Sequence, residues 1–464
     1  MNLRDQQLYD ALRRDGPESA SALARRLDVS TPTVTRALAK LGDAVVTIGK
    51  GRSSRYALYR DVRDLGHAWP LYRIYENGQP KLLGRIEALH GRYRWRLVPE
   101  HPLPLFMRGE FEEGLYEDLP WFLQALRPQG YLGREYVRFF AEDIGAPPDI
   151  SLWQANDIVL GLLHFGSDLP GNLLLIDRSE QQNLTSLLEE FRTAYDAPDT
   201  RNTVYPIYAE ESDRLSNPGS SAAGEQPKFT ATLMHDDARI EPVIVKFAPL
   251  DSSNPTTQRW ANLLVCEQLA SQVLNEHGIL TAPTEILDAG AWRFMQSTRF
   301  DRTPNGGRIG VMSLAALDEA YVGSDQNSWL SGAEPLHAQE LISSEDFALI
   351  RLLDVFGRLI GNTDMHFGNL SFYCDADSLI IRLAPVYDML PMHYRPAVSG
   401  LVRETPFELP TPVADHQTIW SQAAALAEKF WTTAAADTRL SKAFASICAD
   451  NRIRVSEWKA SHHL

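Results

Sequence analysis

Apolar positions in the first 65 residues fall at helical spacing and then switch to alternation. Leu3, Leu8 and Leu12 recur toward one face of a helix predicted over 3–14, which Gly16-Pro17 ends. Leu23 and Leu27 stand four apart in a second helix, Ser19 to Leu27. After the turn Asp28-Val29-Ser30, Thr31 as N-cap and Pro32 at the first helical position open a third. Its residues Val34, Leu38 and Leu41 point inward, whereas Thr33, Thr35, Arg36 and Lys40 lie outward. Val45-Val46-Thr47-Ile48 and Tyr56-Ala57-Leu58 then read as strands around a glycine-rich basic turn containing Lys50, Arg52 and Arg55. Three helices followed by a basic hairpin predict a winged helix-turn-helix domain over 1–65.

From Trp69 to Val98 the pattern alternates in short segments, Leu71 to Tyr75, Lys81 to Ile86 and Tyr93 to Leu97, with an Asn77-Gly78 turn, which predicts antiparallel strands. Helical segments follow near Pro120 to Leu126 and Arg134 to Ala141. The small-residue run from Asn217 to Gly224 interrupts the regular pattern. Alternation resumes at Thr230 to Leu233, crosses the polar turn His235-Asp236-Asp237 and continues as the strand Val243-Ile244-Val245-Lys246-Phe247.

Composition sharpens this picture. With 464 residues, 44% apolar and 23% charged, the chain is long enough for two or three packed domains, and disorder, collagen-like sequence and small disulfide scaffolds are excluded. Three widely separated cysteines, Cys266, Cys374 and Cys448, match no metal spacing and are expected to be packing residues of a reduced, cytoplasmic protein. No segment is apolar enough to span a membrane, and no membrane partner is expected.

The net charge of −15 opposes binding to nucleic acid by the chain as a whole, yet it is unevenly spread. Residues 1–65 hold 12 Lys plus Arg against 8 Asp plus Glu, a net +4, and the rest holds −19. DNA binding is therefore expected of the amino-terminal domain alone. Thr33, Thr35, Arg36 and Lys40 would face the major groove, and Lys50, Arg52 and Arg55 would contact phosphates. The alternative is a docking or dimerisation module with a solvated charged face.

The carboxy-terminal half carries the chemistry. Lys246 stands in an otherwise apolar strand, where a charge must be paired or used. In Gly361-Asn362-Thr363-Asp364-Met365-His366-Phe367-Gly368-Asn369, Asp364 and Asn369 have the protein-kinase spacing of a proton-accepting Asp and a magnesium-binding Asn. A second metal carboxylate is expected downstream, and Ala384-Pro385-Val386-Tyr387-Asp388 supplies it. His366 has no histidine at ligand spacing, which favours a hydrogen-bonding role in the loop over metal binding.

Ser221-Ala222-Ala223-Gly224-Glu225-Gln226-Pro227-Lys228, Arg299-Phe300-Asp301-Arg302, the 361–369 segment and Pro385-Val386-Tyr387-Asp388 together resemble the HipA family of serine/threonine kinase toxins. Leu169-Pro170-Gly171-Asn172-Leu173-Leu174 resembles a further family segment, so the likeness spans roughly 67–464, and with the winged helix in front the chain is similar to the YjjJ type within that family. The resemblance implies an α+β multidomain protein: a winged helix at 1–65, a β-rich amino lobe with a HipA-type subdomain at 66–300, and a mainly helical carboxy lobe at 301–464. It implies ATP and Mg²⁺ as cofactors and Asp364 as the catalytic base, with Asn369 and Asp388 as metal ligands. Lys228 and Lys246 would meet phosphates, and the Thr298, Arg299 and Phe300 backbone would meet adenine. Ala223, Gly224, Gln226, His366 and Tyr387 complete the implied nucleotide site. Ser221 matches the loop serine that the family autophosphorylates, with Ser220 beside it. Expected partners are an unidentified protein substrate, DNA, and an antitoxin or a second copy of the chain.

One departure bears on activity. The family usually has Asn-Glu in the helix after Lys246, and this chain reads Asn262-Leu263; Glu267 lies one turn on and is a candidate replacement. Without it, the rival expectation is a transcription regulator whose kinase-like half senses nucleotide with weak or no catalysis.

Overall fold

The structure is a computed structural model that describes residues 3–98, 103–128, 131–177 except 132, 135, 136, 138 and 139, 195–215, 226–375, 381–397, 399–412 and 416–464. Ser221, Ala223 and Gly224 lie outside the described residues, as do parts of the expected 134–141 helix.

The first helices, α1 (Leu3–Asp15), α2 (Ala20–Arg26) and α3 (Thr31–Leu41), bury Leu8, Leu12, Leu23, Val34 and Leu38 against one another. Ser19 caps α2 by accepting from the Ala22 amide. The α3 cap is Ser30 rather than Thr31, which moves Pro32 to the second helical position; both lie in the first turn, where a missing N–H costs nothing. The wing strands β2 (Val45–Ile48) and β3 (Arg55–Leu58) pair antiparallel, and β3 also pairs with the two-residue β1 (Glu18–Ser19), which the pattern did not reveal.

The expected 66–300 lobe contains two separate sheets. Five antiparallel strands come first, in the order β7-β6-β5-β4-β8: β4 (Ala68–Ile74), β5 (Pro80–Leu89), β6 (Arg92–Leu97), β7 (Leu115–Tyr116) and β8 (Leu173–Leu175). Period-two alternation turns Trp69, Leu71, Ile86, Ala88, Tyr93 and Trp95 to one face, where they pack with Phe106, Phe122 and the helices α4 (Trp121–Gln124) and α5 (Ala155–Phe165). That core is continuous with the core of the helical region after residue 301.

The second sheet, β11-β12-β10-β9, contains β9 (Lys228–Met234), β10 (Ile240–Pro249), β11 (Thr284–Ala289) and β12 (Trp292–Thr298). Val243, Val245 and Phe247 face α6 (Arg201–Leu215), and Ala248 and Met295 face α7 (Pro255–Glu276). Lys246 shares the α7 face because it is two residues from Ala248.

The carboxy lobe packs α8 (Leu314–Tyr321), α9 (Trp329–Ala338), α10 (Ser344–Leu359), α11 (Gln417–Ala436) and α12 (Lys442–Ser461) around Trp329, Phe356, Phe430 and Trp431. A small sheet, β13 (Val311–Ser313), β14 (Ser371–Tyr373) and β15 (Arg382–Leu383), carries the loops that bear the candidate site. Among the described residues no helix is long and apolar enough to cross a membrane.

Candidate active site

Lys246 sits at the centre of the site. Its Nζ donates to both carboxylate oxygens of Glu267 at 2.7 and 2.8 Å and to Asp388. Burial alone would lower the Lys246 pKa, but Asp388 and Glu267 outweigh it and hold the pKa above the ordinary lysine value. Burial also works against the Asp388 charge, and Lys246 and Lys228 override it, keeping that carboxylate ionised well below its usual range. Glu267, the deepest member, is pushed up to about 7, by burial first, with Lys246 opposing and Asp388 adding to the rise. Lys228 reaches the same place because β9 and β10 pair it directly opposite Lys246. Glu267 thus occupies the role for which Leu263 has no chemistry: Leu263 is fully buried among core side chains.

α7 is tied to the carboxy lobe at two further points. Arg259 donates to the carbonyls of Tyr394 and Arg403 at 3.0 and 2.6 Å and lies over the Phe444 ring. Asn262 donates to Ser441 Oγ and accepts from the Ser441 amide, both at 3.0 Å. Neither Arg259 nor Asn262 had an assigned place, although polar groups inside a helix that buries most of one face require partners.

The Asp364 loop follows α10. Gly361 turns the chain out of the helix at φ +73°, and any Cβ there would meet the Phe407 ring at 2.8 Å. Asn362 Oδ1 accepts from the Asp364 amide at 3.0 Å, and its Nδ2 reaches the Asp388 carbonyl at 3.3 Å, so one side chain spans the two loops. Asn369 Nδ2 donates to the Asp364 carbonyl at 2.8 Å, which leaves Oδ1 as the end of the amide that can act as an oxygen ligand. The Asp364 carboxylate is half-buried and engaged by no hydrogen bond or ion pair among the described residues. His366 accepts from the Gly368 amide through Nδ1 at 3.0 Å, a loop-shaping bond.

Asp388 adopts φ +53°, a left-handed conformation rare outside glycine and retained where the surroundings enforce it. Backbone bonds hold the segment just before it: the Val386 amide donates to Leu280 and the Ala282 amide to Val386, each at 3.0 Å. Tyr387 donates to the Gly368 carbonyl and bonds Ser371, both at 2.7 Å, fastening the Asp388 segment to the Asp364 loop.

Part of the backbone of the expected adenine-facing segment is engaged within the protein. The Thr298 amide donates to the Pro283 carbonyl and the Arg299 amide to the Pro242 carbonyl, each at 2.9 Å, so both amides are committed within the protein. Arg299 is buried in an ion-pair network with Asp301 (3.0 Å) and Asp168 (2.8 Å), which Arg302 joins at 2.7 and 3.1 Å. Asp301 also accepts from the Gly171 amide at 2.9 Å. The Arg299-to-Arg302 motif and the Leu169-to-Asn172 segment are therefore halves of one joint. Phe300 is half-buried, with its ring 5.7 Å from Tyr387. Gln226 is buried, and among the described residues its Nε2 has no hydrogen-bond partner. The lysine pair Lys228 and Lys246, the Asp388 carboxylate and the Asn369 oxygen are a donor set of the chemistry that a polyphosphate with Mg²⁺ requires.

In the amino-terminal domain Thr35, Arg36 and Lys40 are exposed on α3, with Lys40 3.8 Å from Asp5. Thr33 is half-buried and bonds Ser30 at 2.8 Å. Lys50 and Arg52 are exposed at the wing tip, whereas Arg55 turns away from it and pairs with Glu113 of the middle region.

Residues 1–44 match the description winged helix-turn-helix DNA-binding, 65–184 the middle domain of YjjJ-like toxins, and 220–456 the HipA-like C-terminal domain. The chain is 34% identical over 449 residues, 96% of its own length and 97% of the relative's, to the Toxin YjjJ of Escherichia coli strain K12. A solved chain from the Shewanella oneidensis MR-1 toxin–antitoxin complex of HipA, HipB and operator DNA superposes with a TM-score of 0.52 at 14% identity, over 83% of this chain and 95% of that one, a likeness of fold. With the whole-length identity and a family match across more than half of its residues, the chain belongs to the HipA-like toxins, in their YjjJ-like branch.

Proposed function

We propose that the chain is an ATP- and Mg²⁺-dependent serine/threonine protein kinase that modifies a cellular protein and its own 220–221 loop, fused to a DNA-binding domain. The observation that carries the reading is that Asn362 bonds both the Asp364 loop, which holds Asn369, and the Asp388 segment, which Lys246 and Glu267 meet. Lys246, Lys228 and Gln226 would hold the phosphates, and Asp388 with Asn369 Oδ1 would hold magnesium, which supplies charge neutralisation on the transferring group. The Asp364 carboxylate, on a backbone held by Asn362 and Asn369, would accept the proton of an incoming hydroxyl. The rival reading, a catalytically weak nucleotide sensor, rested on Leu263, and the Lys246–Glu267 pair weighs against it.

The amino-terminal domain would read DNA through the exposed face of α3, with Lys50 and Arg52 on phosphates. By analogy with the antitoxin named in the Shewanella complex, we infer that it performs part of such a partner's role in cis.

Incubation with labelled ATP and Mg²⁺, read by phosphate incorporation and mass spectrometry, tests the catalytic reading. Incorporation that disappears in Asp364→Ala and Asp388→Ala is the expected result. Nucleotide binding without transfer in the wild type overturns it in favour of the sensor. Deleting residues 1–65 is expected to abolish DNA binding, and unchanged affinity overturns the assignment of that domain.

A further inference from the structure

Strand β6 reads Arg92-Tyr93-Arg94-Trp95-Arg96, and its tyrosine and tryptophan enter the core. Register sets Arg96 opposite Arg85, Arg94 opposite Glu87 and Arg92 opposite Leu89, so the period of two collects four arginines on the face opposite that core, Arg96 exposed and Arg85, Arg92 and Arg94 half-buried. Few carboxylates meet them. Glu87, fully buried, lies 2.8 Å from Arg96 and 3.6 Å from Arg94, and Arg92 is 3.6 Å from the exposed Glu117. Among the described residues no ion pair engages Arg85. The face is thus basic in a chain whose net charge is −15.

Its position relative to the wing gives it a use. The wing sheet has its helices on one side; on the other, Val46, Ile48, Ala57 and Tyr59 pack on Leu89 and Leu115 of the middle sheet. Tyr59 bridges Leu89, and the His90 amide donates to the Leu58 carbonyl at 3.0 Å. Leu89 pairs with Arg92 and Leu115 with Arg94, so the arginine row begins where the wing docks. The wing hairpin that bears the exposed Lys50 and Arg52 at its tip is thus joined at its base to the sheet that carries this row by main-chain bonds.

We propose that the arginine row of β5 and β6 is a second phosphate-contacting surface, which engages duplex DNA flanking the segment held by α3 and the wing. This rests on the DNA-binding reading of the amino-terminal domain. Guanidinium groups pair with phosphate oxygens irrespective of sequence, so the row adds affinity and footprint without adding base specificity. Glu87 holds Arg94 and Arg96 in register, while Arg85 and Arg92 have the least competition from carboxylates.

The test uses the full chain and duplexes of arbitrary sequence, 12 and 40 base pairs long, with affinity measured by fluorescence anisotropy over a range of salt. Arg85→Gln with Arg92→Gln is expected to reduce the slope of log affinity against log salt by about two and to remove most of the affinity gained with the longer duplex. Arg85→Lys with Arg92→Lys is expected to restore the slope, and melting curves of both variants to match the wild type. A glutamine variant with wild-type slope and length dependence, while Lys50→Gln with Arg52→Gln loses slope, overturns the arginine surface and leaves the wing. Failure of the folded wild type to bind either duplex overturns both this inference and the DNA-binding reading.

Discussion

Replacing Glu267 by glutamine removes the charge that it carries above a pKa of about 7 and keeps its volume. Both oxygens of the carboxylate accept from Lys246 Nζ, at 2.7 and 2.8 Å, and both side chains are nearly buried, so solvent screens the pair little. Hydrogen bonds to charged groups are worth about 1.5–3 kcal/mol against about 0.5–1.5 for neutral ones, and glutamine offers one oxygen in place of two. The hold on Lys246 should weaken by about 1–2 kcal/mol, which corresponds to a fall in kcat/KM of about 5- to 30-fold. Glu267→Ala goes further, because Lys246 is left with Asp388 alone, the carboxylate proposed to hold magnesium. It should lose about 100-fold or more and require more Mg²⁺ for half-maximal rate. The assay is ADP release and autophosphorylation across a magnesium titration, with melting curves run beside it. Wild-type kcat/KM and wild-type Mg²⁺ dependence in both folded variants would refute the assignment. The exchange Leu263→Glu with Glu267→Leu should lower the melting temperature and leave activity unrestored, because position 263 places the carboxylate among core side chains.

Asn262→Ala removes two hydrogen bonds to Ser441 and is expected to cost about 1–3 kcal/mol, with kcat falling further than KM(ATP) rises in steady-state kinetics. At Asp301 and Asp168 burial disfavours the charged form, but Arg299 and Arg302 outweigh it and depress both pKa values. Their folded-state pKa lies below the unfolded one, so this stability is present at neutral pH and drains away as pH falls through the ordinary carboxylate range and below; urea melts from pH 7 to pH 3 should show it. Asp301→Asn should cost about 3–5 kcal/mol at pH 7 and flatten that acid limb. Val46→Asp sets a carboxylate into the wing–middle contact and should expose the 59–67 linker to protease while the carboxy lobe melts as before.

Much of this was legible because local period and spacing report on single elements. The alternation around Val243 to Phe247 gave a strand with one misplaced charge, and the five-residue offset from Asp364 to Asn369 gave the loop. What was not legible depends on contacts between distant segments. Arg299 and Asp301 look like chemistry in a motif, but their partners are Asp168 and Gly171, some 130 residues earlier, and no periodicity connects the two. Arg55 sits in a basic turn suited to phosphate, and only the docking of the wing brings Glu113 to it. Ser30 and Thr31 are both competent caps in adjacent positions, and nothing local to the sequence separates them.

The same distinction explains how a substituted helix position leaves the site intact. Leu263 and Glu267 are one turn apart, so a carboxylate can serve from either only if α7 is held at a matching height and rotation. Arg259 on Tyr394 and Arg403, and Asn262 on Ser441, hold α7 against the carboxy lobe rather than against its own sheet. The carboxylate that meets Lys246 is thus chosen by where the carboxy lobe anchors the helix. The departure at Leu263 has to be judged together with the Tyr394, Arg403 and Ser441 contacts, and in isolation it does not argue for a weakened site.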